Sequence, residues 1–505
     1  MNKRSVEILA SKNSALKNFA IGDFQAVQIQ SGAILMIALL LPACGIAPIG
    51  PNYVRPDLPV PALTAKAGDQ SLTFGDGLNY WKAFNDPILD SLMQEASNNS
   101  QDLNLASARI EEAIASLNQL NASALPTIDA NLGASRRGLS ENSSTFNPSI
   151  KPFSNDRQAG FTASYEIDFW GRLSRANEGA RARLLAQEAS RGLVLTTLYA
   201  NVAQTYFLLR GLDAQMQLAQ QILATRQENL ALQEKRFKGG LTSQLDLAQA
   251  QSETSSIEAT LIQAKQARAN AQAALALLIG RPPAAILSPA ITHGAEGNSS
   301  FAALYAQKTI PANLPSDLLA RRPDIIAAEQ LLIASNADIG IARAAYFPRL
   351  SLTAGLGLQS KELSSLFNAS SLFWNLAANL TAPIFRAGAI DAQLAITQAK
   401  QKQALAQYTQ TVQAAFRDVH DALNNIDAGR ELVGTSTKRI DALKTTLRLV
   451  EVRYKGGYSN YLEVLNAQRD LAQAQSALID TQRAQLVAVV SMYKALGGGW
   501  VSATP

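Results

Sequence analysis

The chain contains one cysteine, two histidines and no run of about 18 apolar residues, and each shortage removes a class of function. A lone thiol, Cys44, cannot form an internal disulfide, and with two histidines it leaves too few ligands for a zinc site. His293 and His420 stand in unrelated contexts, and no glycine-rich phosphate loop occurs, so neither a hydrolytic triad nor a nucleotide site is expected. The reading is of a chain that is not an enzyme, with no cofactor and no metal. The missing apolar run argues against a transmembrane helix. Charge is nearly balanced, with 45 basic against 40 acidic residues, which gives no basis for nucleic-acid binding. A hydrophobic content of 47% argues against disorder.

What the chain does have is itself, twice. Arg236-Phe237-Lys238-Gly239-Gly240-Leu241 and the ten residues after it recur 217 positions later, beginning Arg453-Tyr454-Lys455-Gly456-Gly457-Tyr458, with seven of sixteen positions identical. At the same offset Ile279-Gly280 answers Leu496-Gly497; at an offset of 222, Asp102-Leu103 and Pro126 answer Asp324-Ile325 and Pro348. So long a period is a duplicated unit rather than a repeat array.

Between Pro87 and Ala124, and again between Pro323 and Tyr346, the pattern is helical. Past each following proline the period falls to two. Residues 126–135 and 161–169 alternate Ile128, Ala130, Leu132 and Phe161, Ala163, Tyr165, Ile167, Phe169 against polar neighbours, and the second copy offers Leu350 to Leu358 and Trp374 to Leu380. Four strands of about ten residues have the length that crosses a bilayer at a tilt. Polar stretches at 138–159 and 360–371 read as the connecting loops. Long proline-free segments follow, from Arg172 to Lys238 and from Arg386 to Lys455. In the first, Leu198, Val202, Thr205, Leu209, Leu212, Met216, Ala219 and Leu223 step by four and three, a coiled-coil seam on a helix of about 100 Å.

Four strands cannot close a barrel, and an open sheet edge in hydrocarbon leaves backbone groups unsatisfied at several kcal/mol each. Closure must come from other copies. Three protomers supply twelve strands and a twelve-limbed helical tube; two supply eight, too few for a solute pore. The polar strand faces would line the lumen, with Asp129, Glu166 and Asp168 there or at the membrane rim.

At the N-terminus, Lys3, Arg4, Lys12 and Lys17 precede the apolar stretch Ala33 to Leu41, the order of a secretory signal. Leu41-Pro42-Ala43-Cys44-Gly45 resembles a lipobox, in which the cysteine is acylated. Gly50 to Pro61 carries four prolines in twelve residues and reads as an extended tether.

Cys44 with Gly50-Pro51-Asn52-Tyr53-Val54-Arg55-Pro56, Phe84-Asn85-Asp86-Pro87-Ile88-Leu89, Arg321-Arg322-Pro323-Asp324-Ile325 and the paired glycine turns, taken in that order, resemble the outer membrane factor family. These are the TolC-like and OprM-like ducts, and the match is nearest their efflux lipoprotein (NodT-like) branch. The resemblance implies an internally duplicated α+β membrane protein: a homotrimeric twelve-stranded outer-membrane β-barrel continuous with a long periplasmic α-helical barrel, lipid-anchored through Cys44. It implies passive export of small molecules such as drugs or toxic compounds, with a periplasmic adaptor and an inner-membrane pump of the resistance-nodulation-division type as partners. The exit duct of a type I protein-secretion system is the alternative; a pore-free periplasmic scaffold is disfavoured by the four amphipathic strands. The expected organisation is a signal peptide (1–43), a lipidated tether (44–84), a first repeat (85–280), an equatorial linker (281–320), a second repeat (321–497) and a tail (498–505).

The resemblance also assigns the glycine turns. They would form the periplasmic tip, where Arg236, Lys238, Gly239, Gly240, Leu241, Arg453, Lys455, Gly456, Gly457 and Tyr458 meet the adaptor. Asp246 and Glu463, each six residues past the second glycine, would ring the gate with Leu462, Asn466 and Ser459. Asn466 replaces an aspartate common in the family and Ser459 an arginine that some members use as a lock. The expected closed state is therefore held by packing and neutral hydrogen bonds.

Overall fold

A computed structural model describes residues 48–58, 77–140, 142, 144, 153–287 and 321–498. The expected signal peptide, Cys44, most of the 281–320 linker, His293 and nearly all of the C-terminal tail lie outside these residues.

The first repeat runs α1 (Pro87–Asn99), α2 (Gln101–Ser123), β1 (Thr127–Gly138), β2 (Phe153–Ile167), α3 (Arg172–Lys238) and α4 (Gln244–Leu278); a short α5 (Pro283–Leu287) follows. The second runs α6 (Pro323–Ala344), β3 (Arg349–Ser360), β4 (Leu372–Thr381), α7 (Ala389–Lys455) and α8 (Tyr461–Ala495). The two longest helices have 67 residues each. Among the described residues two helices hold a window apolar enough to span a membrane, α3 and α6, but 56% of each window is buried against the protein. More than half of each window is thus packed inside the protein.

Several expectations are corrected. The helix expected from Pro87 to Ala124 is two helices. Asn98 and Asn99 are weak helix formers, and Ser100 turns extended (φ −62°, ψ 124°), closing α1 through its own N–H and capping α2 by accepting from the Leu103 amide. The loop expected over 138–159 is shorter than that, since residues 153–159 already belong to β2 and pair with β1 in a register running from Thr127↔Ser164 to Gly138↔Phe153. Nor is the 44–84 tether free where described. Ile49 N–H donates to the Trp170 carbonyl at 3.1 Å, Asn336 donates to Pro51 at 2.8 Å, and buried Arg175 reaches Asn52 Oδ1 at 2.8 Å. Farther along, a 3-10 helix (Gly77–Phe84) sinks Tyr80, Trp81 and Phe84 into the core.

The sheet is antiparallel throughout, in the order β1-β2-β3-β4. Its register aligns apolar with apolar: Ala130↔Phe161↔Leu356↔Trp374 and Ile167↔Leu350↔Leu380 lie on one face. Asp129↔Thr162↔Gly355↔Asn375 and Glu166↔Ser351↔Asn379 lie on the other. Gly160 opposes Gly357 on the polar face, where an added Cβ on Gly160 would stand 2.8 Å from the Leu356 carbonyl oxygen. Such close backbone approach lets the sheet curl round that face. Trp374, Leu376 and Leu132 on the apolar face are exposed, and β1 and β4 end the sheet unpaired.

Below the sheet, Phe169, Trp170 and Phe347 cluster at the strand bases, and Trp170 Nε1 donates to Pro348 at 2.7 Å. Asp168, expected in the lumen or at the rim, stands at the strand bases, where it caps α3 by accepting from the Leu173 and Ser174 amides, and Glu166 binds Arg172. Helix starts attract carboxylates, and the strand has already ended at Ile167. The principal core lies farther down, where Leu89, Met93, Tyr206, Phe207, Leu275, Leu332, Ile426 and Leu486 join both repeats.

Candidate functional site

The far end of the long helices is built by two matching turns. Lys235, Arg236 and Lys238 occupy the last turn of α3, where cations meet the negative helix end. Gly239 is the C-cap with an ordinary φ of −85°, and Gly240 takes the left-handed conformation at +70°. Gly240 N–H then donates to Phe237 and Leu241 N–H to Arg236, the double closure of a Schellman motif. Gly457 (φ +78°) and Tyr458 repeat this against Tyr454 and Arg453. Leu241 and Tyr458 are left exposed at the extremity, and Lys238 and Lys455 are exposed beside them.

The returning helices are capped differently. Ser243 accepts from the Asp246 amide at 3.1 Å, and Asp246 Oδ2 accepts from Ser243 Oγ at 2.8 Å and Thr242 Oγ1 at 2.9 Å. Desolvation pushes the Asp246 pKa up, but the hydrogen bonds from Ser243 and Thr242 and the charge of Arg236 outweigh it and hold the carboxyl below the usual range. In the second hairpin Asn460 Oδ1 accepts from the Glu463 amide at 3.0 Å. The Glu463 carboxylate is thus not enlisted in a capping box as Asp246 is.

Leu462, Glu463 and Asn466 share the exposed face of the first turns of α8. On the opposite face Tyr461, Val464 and Leu465 are buried in a small core with Ala250. Among the described residues the structure shows no hydrogen bond between Asp246 and the exposed face of α8. It does join the turns to each other. Arg236 donates to Tyr454 Oη at 3.1 Å and stacks over its ring, and Gln233 reaches the same hydroxyl at 3.3 Å. Arg453 donates to the Tyr458 carbonyl, and Ser459 Oγ is buried without a partner.

Sequence reasoning missed a polar tie higher up. Arg226, 5% exposed, binds Gln468 of α8 and lies 3.9 Å from Glu253 of α4, which also binds Arg469 of α8. Burial pushes the Arg226 guanidinium down from its ordinary value, against the pull of Glu253. A cavity of about 250 Å³ and another of about 640 Å³ share Leu218, Ile222, Arg226 and Ala472 as walls, so the contact between the hairpins is thin here. The signal was available: extending the four-three seam past Leu223 lands on Arg226, Leu230 and Gln233, and both polar residues are buried. A second tie, Arg322 to Asp324, Asp418 and the Ala495 carbonyl, joins α6, α7 and α8. His420 sits 3.0 Å from Asn424, and among the described residues no group of three or more His, Cys, Asp or Glu is arranged to hold a metal.

The family model described as outer membrane efflux protein matches residues 92–281 and 314–498. The cation efflux system protein CusC of Escherichia coli is 36% identical over 470 residues, covering 92% of this chain and 97% of that protein. The pyoverdine export outer membrane protein OpmQ of Pseudomonas aeruginosa is 36% identical over 479 residues, covering 93% and 97%. The open-state crystal structure of the Neisseria gonorrhoeae MtrE outer membrane channel superposes with a TM-score of 0.79 at 31% identity, covering 90% of this chain and 98% of that one.

Proposed function

Because the chain belongs to the outer membrane efflux protein family, whose members are passive channels, we propose that it is the exit duct of a three-part efflux assembly. In this reading an inner-membrane pump of the resistance-nodulation-division type hands cargo to it through a periplasmic adaptor. The protein is an outer-membrane efflux channel, a trimeric twelve-stranded barrel continuous with a periplasmic helical barrel. The observation that carries the reading is the sheet. One face is apolar across all four strands, the other is polar, and β1 and β4 are left as open antiparallel edges that threefold repetition closes.

Cargo is of the small-molecule class, including drugs and toxic compounds, and the pump selects it. CusC and OpmQ, equally similar to this chain, are named for cations and for pyoverdine, so the duct's sequence does not fix what passes. Cys44 carries the lipid.

At the tip, Arg236, Lys238, Leu241, Arg453, Lys455 and Tyr458, held by Gly239, Gly240, Gly456 and Gly457, receive the adaptor. Threefold copies of Leu462, with Glu463, Asn466 and Ser459, narrow the aperture, while Asp246 contributes negative potential from its capped turn. Single-channel conductance in planar bilayers tests this. A small resting conductance that rises in Leu462→Ser and changes cation preference in Asp246→Ala supports the duct and its gate. Folded trimers that conduct nothing in any variant overturn it.

A further inference from the structure

The opposite end of the protein carries a feature that export does not use. On the apolar face, the outward positions of β2 run Ile167, Tyr165, Ala163, Phe161, Ala159 and then Arg157. Ten residues at about 3.3 Å, tilted by about 40°, rise about 25 Å, the height of an outer-membrane apolar band. The band therefore begins at the aromatic cluster around Trp170 and ends at Arg157. Arg136 lies on the same face: it pairs with Asn155, while Arg157 pairs with Ala134, so the two arginines are diagonal neighbours across β1 and β2.

Two like charges at that spacing repel each other on a sheet. No ion pair to either guanidinium forms among the described residues, and Asp156 is turned to the other face, where it accepts from Gln359 Nε2 at 2.9 Å. Arg136 is instead held 5.1 Å above the Phe153 ring, which fills the space beside Gly138. Arg157 spends one donor on the Lys361 carbonyl, which brings a third basic residue to the same rim. Among the described residues the two guanidinium groups have spare donors and no ion-paired acid, and they stand at the external limit of the apolar band.

Resting on the outer-membrane orientation given above, we propose that Arg136 and Arg157 form a binding site for the phosphate groups of a phosphorylated glycolipid of the outer leaflet. The fork-shaped guanidinium donors grip the phosphate, and the apolar strand face below takes the acyl chains. Three copies place six arginines round the barrel.

The test is native mass spectrometry of the purified trimer titrated with lipid A bearing both phosphates, with enzymatically dephosphorylated lipid A and with inorganic phosphate as competitor. The expected result is binding of the phosphorylated form that falls about 10- to 30-fold in the double variant Arg136→Gln/Arg157→Gln. Arg136→Lys/Arg157→Lys should retain part of it, and millimolar phosphate should not displace the lipid. Undiminished binding by the double glutamine variant, equal binding of the dephosphorylated lipid, or full displacement by inorganic phosphate overturns the proposal. Trimer migration on gels and bilayer conductance should be unchanged in every variant, which separates failure of this site from failure of the channel reading.

Discussion

Glu253→Gln and Arg226→Met remove the two ends of one buried contact and should have unequal effects. Arg226 is in a low-dielectric seam with Glu253 and Gln468 as its partners, and burial already disfavours its charge. Removing Glu253 leaves a buried cation with a neutral amide. Loss of one partner of a fully buried pair costs about 3 to 5 kcal/mol; because the Glu253 side chain keeps 19% exposure, about 2 to 3 kcal/mol is the better figure. Met in place of Arg226 removes the charge with its desolvation and fills a similar volume, so its cost is near zero, within about 1 kcal/mol. If opening the tip separates α3 from α8, the strain in Glu253→Gln is relieved on opening, which shifts the open-to-closed ratio by about 30- to 150-fold. Open probability in planar bilayers reads this directly. The double variant Arg226→Met/Glu253→Gln should return close to the wild-type value, since no buried charge remains. Equal opening in both single variants, or a Glu253→Gln channel that behaves as wild type, refutes the reasoning.

Three left-handed glycines that close helices, Gly240, Gly457 and Gly280, should fall into two groups. Ala at Gly240 or Gly457 meets no atom within 4 Å and costs only backbone strain, about 1 to 2 kcal/mol, lowering the melting temperature slightly while trimers still form. Ala at Gly280 drives a Cβ to 2.3 Å from the Asn99 carbonyl oxygen and should abolish trimer yield on gels. The Asp246 carboxyl, lowered in the folded protein, contributes stability above its unfolded pKa and loses it as pH falls through the folded value. Between pH 7 and 5 it stays charged, so conductance in a Glu463→Gln background should be flat over that range; a steep rise would contradict the capping geometry.

How much of this was legible in the sequence depended on whether the signal was local. The duplicated glycine turns, the strands and the proline-free helices are periodic, and period follows from backbone geometry alone, so their existence could be read residue by residue, although the alternation did not show that β2 starts as early as Phe153. Even the bounds of α3 were legible, because Gly171 and Gly239 punctuate an unbroken run. That the sheet must be completed by other chains also followed, since the cost of an open edge in lipid does not depend on detail.

Where local rules competed, only the folded chain decided. Asp168 continues the alternation of β2, yet the nearby start of α3 claims its carboxylate. The prolines of residues 50–61 exclude helix and sheet but do not say whether the segment floats, and its docking depends on Arg175 and Asn336 arriving from two distant helices. Arg226 stands on the seam in the sequence, but whether a buried guanidinium is tolerated there rests on Glu253 and Gln468, contributed by two other helices. Periodicity fixes which face a residue occupies, while the partners that satisfy its charge come from far along the chain and become known only when the helices pack.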